Sequence, residues 1–423
     1  MSIFIGCIAD DFTGATDLAN ELQQQGLKTI LFLGNDCPSI DLSDIDAVVV
    51  ALKIRTAPVC EATEQALLAL RFLQDAGCGH IYFKYCSTFD SSEQGNIGPI
   101  TDALLDALKE TFTIASPAFP RAHRTVYKGY LFVGDVLLSE THMQHHPLTP
   151  MTDSNLVRAL DQQTTGRVCL ISHKIIRQGD DDLSKALQAA KEKHFRYAIV
   201  DAIEDEDLET IGRAVLKQTL KLSTGASGVA YGLARAYLQT HSTSEISNPM
   251  SINVGGGCAV IAGSCSKASL AQIEWMKQSH PSFQINLLEC ASGKDVVSEV
   301  IEWASQHLKE APILIHTSVH PDELKMVQTE LGAENAGALA EQRSSQIAKA
   351  LVDLGVRRLI VAGGETSGAV VQALGVKALR IGPEIDPGVP WTAPAIETPM
   401  ALALKSGNFG SDDFFVKAFE MTS

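Results

Sequence analysis

The chain has 423 residues, 45% of them hydrophobic, and 34 basic against 50 acidic side chains give it a net charge of −16. That length calls for two or three domains, the apolar content excludes a disordered chain, and the acidic balance excludes nucleic acid or an anionic membrane as a partner held by bulk charge. An anionic small molecule would need a local cluster of Lys, Arg or backbone N–H groups. The nine cysteines include no Cys-x-x-Cys pair, which points to reduced thiols in a cytoplasmic protein and not to disulfides or a zinc site. No basic leader precedes the first apolar run, and no run reaches the ~18 residues of a membrane span.

The first element, residues 2–9, reads as a buried strand. It leads into Ile8-Ala9-Asp10-Asp11-Phe12-Thr13-Gly14-Ala15-Thr16, and a helical pattern runs from near Gly14 to just before Gly26. Two carboxylates thus stand where a strand end meets a helix start, the edge at which open α/β sheets bind ligands. A helix cap accounts for one aspartate but not for both. Further strands are expected at 29–33, 47–52, 80–84, 167–172 and 197–201, with helices at 59–74, 97–110 and 183–193. Arg55 follows the third strand. Lys84 ends the fourth and opens the loop Lys84-Tyr85-Cys86-Ser87-Thr88-Phe89-Asp90-Ser91, which leads to Gly95-Asn96 and a helix. Lysine at a strand end is costly unless exposed or paired; with Ser87, Thr88 and Asn96 it suits a carboxylate with hydroxyls. Arg55 is a second cation at the same edge, or an ordinary surface charge. Residues 128–138 look like two short strands inserted into the alternation. His142, His145 and His146 cluster, and His316 and His320 are four apart, but no Cys or carboxylate completes a metal set.

A polar, non-periodic stretch at 239–253 is the best boundary. Alternation then restarts, with strands expected at 259–262, 284–288, 312–316, 358–362, 377–381 and 400–405. Three of these run into Gly/Ser-rich turns: Gly263-Ser264-Cys265-Ser266, Gly363-Gly364-Glu365-Thr366-Ser367-Gly368, and Lys405-Ser406-Gly407-Asn408-Phe409-Gly410-Ser411. Glycine lets backbone approach a ligand, and helix N-termini attract phosphate. Each turn alone is ordinary βα chemistry; three on one sheet suggest a nucleotide-phosphate cradle. Gly293-Lys294 is followed by Asp295, so there is no Walker A loop, and Gly255-Gly256-Gly257 precedes its strand, so no dinucleotide fingerprint is present. The Pro-rich run 382–391 is either a rigid loop or a strand connection. The expected fold is α/β: two domains with mainly parallel sheets flanked by helices, and a cleft between them.

Taken together, the Ala9-Asp10-Asp11-Phe12-Thr13-Gly14-Ala15 start, the Lys84 loop with Gly95-Asn96, the Gly263-Ser264 turn and the Gly363–Gly368 element resemble, in order and over nearly the whole chain, the four-carbon acid-sugar kinase family. The Lys84–Ser91 sequence resembles the 3-oxo-tetronate branch; threonate and erythronate kinases tend to carry Lys-x-x-Asp-Ser-Thr-Leu-Arg-Gly there, which this chain lacks. The resemblance implies an acid-sugar domain at 1–240 and a nucleotide domain at 254–423. It implies ATP with Mg²⁺, and phosphorylation of the 4-hydroxyl of a small acid sugar in carbohydrate catabolism. It places substrate contacts on Asp10, Asp11, Arg55, Lys84, Gly95 and Asn96, and nucleotide contacts on Ser264, Ser266, Gly363, Gly364, Glu365, Thr366 and Gly407. Asp11 is the first choice for the general base and Asp10 the second. A threonate or erythronate kinase, a non-catalytic sugar-acid receptor and a dehydrogenase are the competing readings. The receptor leaves the three glycine turns idle, and the dehydrogenase lacks its fingerprint. Homo-oligomerisation is left open.

Overall fold

The computed structural model describes residues 3–89, 92–145, 149–241, 254–396 and 399–422. Asp90, Ser91, His146 and residues 242–253 of the expected boundary lie outside the described residues. The chain divides into two compact units, Met1–Asn248 and Pro249–Ser423.

The first unit contains β1 (Ile5–Ala9), β2 (Thr29–Leu33), β3 (Ala47–Ala51), β4 (His80–Lys84), β5 (Thr113–Ser116), β6 (Arg124–Tyr127), β7 (Tyr130–Val133), β8 (Val136–Leu137), β9 (Val168–Ile171), β10 (Tyr197–Val200) and β11 (Leu222–Gly225). Eight of these form a sheet in the order β2-β3-β1-β4-β11-β5-β10-β9, with every pair parallel. Runs such as Ala47-Val48-Val49-Val50-Ala51 are buried throughout, as parallel strands covered on both faces must be. The chain steps from β1 outward to β2 and β3, then crosses to β4 on the other side of β1. That reversal opens a crevice at the carboxyl ends of β3, β1 and β4. Strands β6, β7 and β8 form a separate antiparallel sheet; its last two strands fill the 128–138 segment, and its first is an addition to the expectation. Helices Asp205–Lys217 and Ser227–Thr240 pack backbone to backbone: a Cβ at Gly212 would strike the Gly232 carbonyl, and one at Gly232 the Leu208 carbonyl.

The second unit contains β12 (Gly257–Ala262), β13 (Ser282–Gln284), β14 (Ile313–His316), β15 (Val356–Ala362), β16 (Ala378–Asp386), β17 (Val389–Pro394) and β18 (Ala401–Lys405). Their order is β13-β14-β12-β15-β18-β17-β16. The first five are parallel, and β16 and β17 add an antiparallel edge. The Pro-rich run is therefore the tip of a hairpin: it ends β16, turns at Pro387-Gly388 and begins β17. Residues 284–288 are not one strand: β13 ends at Gln284, and Asn286 caps a short helix, Leu287–Ala291. Core packing centres on Trp391, Phe414, Phe415 and the inward residues of β12, β15 and β18. Among the described residues no helix is long and apolar enough to cross a membrane.

Candidate active site

Three neighbouring strands of the first unit deliver four charges to one point. Asp10 and Asp11 leave β1, Lys84 is the last residue of β4, and Arg55 follows β3. Backbone bonds fix the junction: Asp10 N–H donates to Lys84 O (3.1 Å), and Ile54 and Arg55 N–H donate to Asp10 O (3.1 and 3.2 Å). Arg55 grips Asp10 as a fork, Nε to Oδ2 at 2.9 Å and Nη2 to Oδ1 at 2.8 Å. The same Nη2 lies 2.9 Å from Asp11 Oδ1, and Lys84 Nζ lies 3.8 Å from that oxygen. Asp10 and Lys84 are each only 4% exposed.

The two adjacent aspartates are not equivalent. Asp11 caps helix Phe12–Gln24, its carboxylate accepting from Gly14 N–H (3.0 Å) and Thr13 Oγ1–H (3.1 Å). Burial acts to raise its pKa, but Arg55, Lys84 and the two cap donors outweigh that and hold it below the usual carboxylate value. Asp10 goes the other way: burial raises it despite Arg55, and the neighbouring Asp11 charge adds to the rise. Arg55 is driven well above its ordinary value because its two carboxylates outweigh its burial. Gly14 makes the arrangement possible, since a Cβ there would collide with Lys84 Nζ and Asp11 Oδ1.

Asn96 sits at the start of helix Ile97–Leu108 but does not cap it. Its Nδ2 donates to the carbonyls of Ile54 (2.7 Å), Arg55 (3.2 Å) and Ala57 (2.8 Å), pinning the Arg55 loop. Gly95 belongs to the preceding turn, its N–H bonded to Ser92 O. A small pocket is lined by Asp10, Arg55, Phe83, Cys86, Asn96, Ile97 and Ile100. Of the four charged residues it is lined by Asp10 and Arg55, and Cys86 joins it from the Lys84 loop.

In the second unit the three glycine turns meet at the carboxyl ends of β12, β15 and β18. Ser264 N–H donates to Ala362 O (3.2 Å), and Gly363 N–H to Lys405 O (2.8 Å). A Cβ at Gly263 would strike Thr366 Oγ1, and one at Gly407 would strike Ser264 Oγ. Ser266 caps helix Lys267–Lys277 and also donates from Oγ to Gly407 O (2.6 Å). Gly363, at φ 128°, turns the chain from β15 into helix Gly364–Ala373. Gly364 and Glu365 are exposed at its first turn. Ser264, Ser266, Gly363, Thr366 and Gly407 thus gather in one place, around helix starts whose free N–H groups suit a phosphate chain. Among the described residues no group of three or more His, Cys, Asp or Glu side chains could hold a metal ion. His316 spends Nδ1–H on Ser318 O at 3.0 Å.

Two family descriptions match the chain: a sugar-binding N-terminal domain over residues 5–233 and a nucleotide-binding C-terminal domain over residues 259–415. A 3-oxo-tetronate kinase of Burkholderia multivorans is 51% identical over 98% of this chain and 96% of its own length. The chain belongs to the four-carbon acid-sugar kinase family. A second 3-oxo-tetronate kinase, from Pseudomonas savastanoi pv. phaseolicola, is 48% identical with the same coverage. A crystal structure from Salmonella typhimurium LT2, provisionally described as that of a tRNA synthase, superposes with a TM-score of 0.88 at 40% identity, over 98% of each chain. Membership makes this protein an enzyme of the phosphotransferase class with a nucleotide-binding domain.

Sequence reasoning gave no role to two residues of this kinase's glycine-turn cluster. Lys405 is 0% exposed and donates to the carbonyls of Ser406, Gly407 and Phe409 at 2.9, 3.1 and 3.0 Å. Burial pulls its pKa down to about 7. Gln272, also fully buried, donates from Nε2 to the carbonyls of Phe409, Gly410 and Ser411, each at 3.0 Å. The available signal was Ala401-Leu402-Ala403-Leu404-Lys405, an apolar strand ending in lysine just as β4 does.

Proposed function

We propose that this protein is an ATP-dependent 3-oxo-tetronate kinase that phosphorylates the substrate's 4-hydroxyl in carbohydrate catabolism. The observation that carries the reading is the 51% identity to a 3-oxo-tetronate kinase across 98% of the chain. The N-terminal unit holds the acid sugar and the C-terminal unit the nucleotide. The net charge of −16 argues against a tRNA substrate.

Lys84 and Arg55 receive the substrate carboxylate by sharing their positive charge with Asp10 and Asp11. Two cations against two carboxylates leave the cluster neutral, so a bound acid sugar makes it net negative. That added charge raises Asp10 further. Asp10, already raised by burial, then suits the task of accepting the 4-hydroxyl proton, while Asp11 is committed to the helix cap. On this reading Asp10 is preferred to Asp11 as the base, supported by its burial and by the cap that Asp11 makes. Asn96 positions Arg55 instead of offering its amide to the sugar. Ser264, Ser266, Gly363, Gly364, Glu365, Thr366 and Gly407 line the polyphosphate. ATP supplies the phosphoryl group, and Mg²⁺ arriving on its oxygens neutralises part of its charge.

A coupled ADP-release assay over a panel of four-carbon sugar acids and their 3-oxo forms tests the reading. Turnover is expected on a 3-oxo-tetronate in preference to threonate or erythronate. Absence of ADP formation on every member, with ATP and Mg²⁺ present, would overturn it.

A further inference from the structure

The second unit contains a buried cation that the phosphoryl-transfer account leaves unused. Lys405 ends β18 with no exposed surface, and among the described residues no carboxylate forms an ion pair with it. Its partners are oxygens without formal charge: the carbonyls of Ser406, Gly407 and Phe409, and Ser269 Oγ at 3.4 Å. Burying a lysine without a counter-ion is expensive, and a structural filler at this position would be apolar.

The hydrogen bonds show what the lysine does to the turn. All five carbonyls of Ser406, Gly407, Phe409, Gly410 and Ser411 are taken from within. Lys405 holds the first three. Ser266 Oγ (2.6 Å) and Ser269 Oγ (3.0 Å) add two donors to Gly407 O. Gln272 Nε2 holds the last two and shares Phe409 O. In a planar trans peptide, the N–H of the next residue points opposite to the carbonyl. Drawing the Ser406, Gly407 and Phe409 carbonyls inward therefore turns the amides of Gly407, Asn408 and Gly410 away from the ammonium. Carbonyl oxygens facing a polyphosphate would repel it; amide hydrogens attract it.

We propose that Lys405 is a positioning residue of the nucleotide site: its buried ammonium gathers the carbonyls of the 406–409 turn so that the amides of Gly407, Asn408 and Gly410 present themselves to the phosphate chain. This rests on the kinase reading above. Lys405 touches no phosphate; it acts through the backbone it holds, and its charge lies one peptide layer behind the bound anion.

Calorimetric titration of the full chain with ADP plus Mg²⁺, and separately with adenosine, tests the role. Lys405→Met is expected to weaken ADP binding by about tenfold or more, the scale of lost charge-assisted hydrogen bonds, while adenosine binding stays within about twofold and the melting curve stays cooperative. ADP affinity unchanged within about twofold overturns the proposal. So does a parallel loss of adenosine binding, which marks general damage to the site. If Lys405→Met does not fold, Lys405→Gln keeps amide donors without the charge. Selective loss of ADP affinity by at least about fivefold is then expected, and unaltered ADP affinity overturns the proposal. Wild-type protein that binds no ADP sinks the kinase reading itself and this inference with it, a result distinct from failure of the variants alone.

Discussion

Each unit of this protein carries a buried lysine at the carboxyl end of a strand in its parallel sheet, and the two are surrounded in opposite ways. Lys84 faces a carboxylate, with Asp11 Oδ1 at 3.8 Å and the Asp10–Arg55 fork beside it. Lys405 faces only backbone carbonyls and one hydroxyl. The first arrangement concentrates side-chain charge of both signs. On the function proposed above it suits a small anion with hydroxyls, because its groups are held in fixed directions. The second presents backbone, in which dipoles spread over three turns can track an extended phosphate chain. The same strand-end position thus carries a charged cluster in one unit and a backbone turn in the other, and the surroundings decide which is built.

The largest expected effect breaks the charged side. If Asp10 is the base, Asp10→Asn lowers kcat by ~10²–10⁴ while both ligands still bind, and Asp11→Ala costs mainly stability through the lost cap, about 1 kcal/mol. Steady-state kinetics and denaturant unfolding on the two variants check this. The reverse pattern returns the base role to Asp11, and kcat within a few-fold for both removes it from the pair.

A smaller effect sharpens the division. Lys84→Met should lower kcat/KM for the acid sugar by roughly 1.5–3 kcal/mol in transition-state terms, with ADP affinity unmoved. Equal losses in both would erase the distinction between the units. Gly14→Ala puts a methyl group where Lys84 Nζ and Asp11 Oδ1 lie. The overpacking should cost ~1–3 kcal/mol of stability, read as a lower denaturant midpoint. An unchanged midpoint would mean the lysine has room to withdraw.

The most gradual effect, spread over pH, is a signature of the backbone side. Folding moves Lys405 from an ordinary 10.5 to about 7. Between those values the unfolded chain binds more protons than the folded one, so stability from this group rises with pH and is lowest below about 7. Wild type should therefore gain on Lys405→Met by up to ~1.4 kcal/mol per pH unit between about pH 7 and 9. Denaturant unfolding at several pH values measures the difference; a constant difference would mean the lysine is not desolvated.

Much of the fold was legible because buried parallel strands are unbroken apolar runs. Thr29–Leu33 and His80–Lys84 stand where periodicity put them. Thr113–Ser116 and Leu222–Gly225 were missed because they carry hydroxyls and glycine, which read as turn residues. In the sheet those hydroxyls donate to neighbouring strands: Thr113 Oγ1 to Leu222 O (2.9 Å), Thr224 Oγ1 to Ile114 O (3.0 Å) and Ser116 Oγ to Val200 O (2.8 Å). A polar residue satisfied across a sheet leaves no trace in a one-dimensional pattern. The same holds at the site. Strand-end position singled out Asp10, Asp11, Arg55 and Lys84, but their mutual pairing depends on β1 lying between β3 and β4, an order fixed only in space. The partners of Asn96 were out of reach in the same way, since the carbonyls that accept from its amide are about forty residues away in sequence.

The contact of Gly212 with Gly232 bears on how a mutational survey of this enzyme is to be read. Any side chain at either position must drive two helix backbones apart, so alanine there should abolish activity as thoroughly as loss of a ligand-binding group. A screen scored on growth or turnover would place both glycines beside the residues that bind ligand or act on it. Pairing each inactive variant with its soluble yield separates the classes: damage at the helix crossing removes the protein, while damage at the strand ends leaves a folded protein that no longer works.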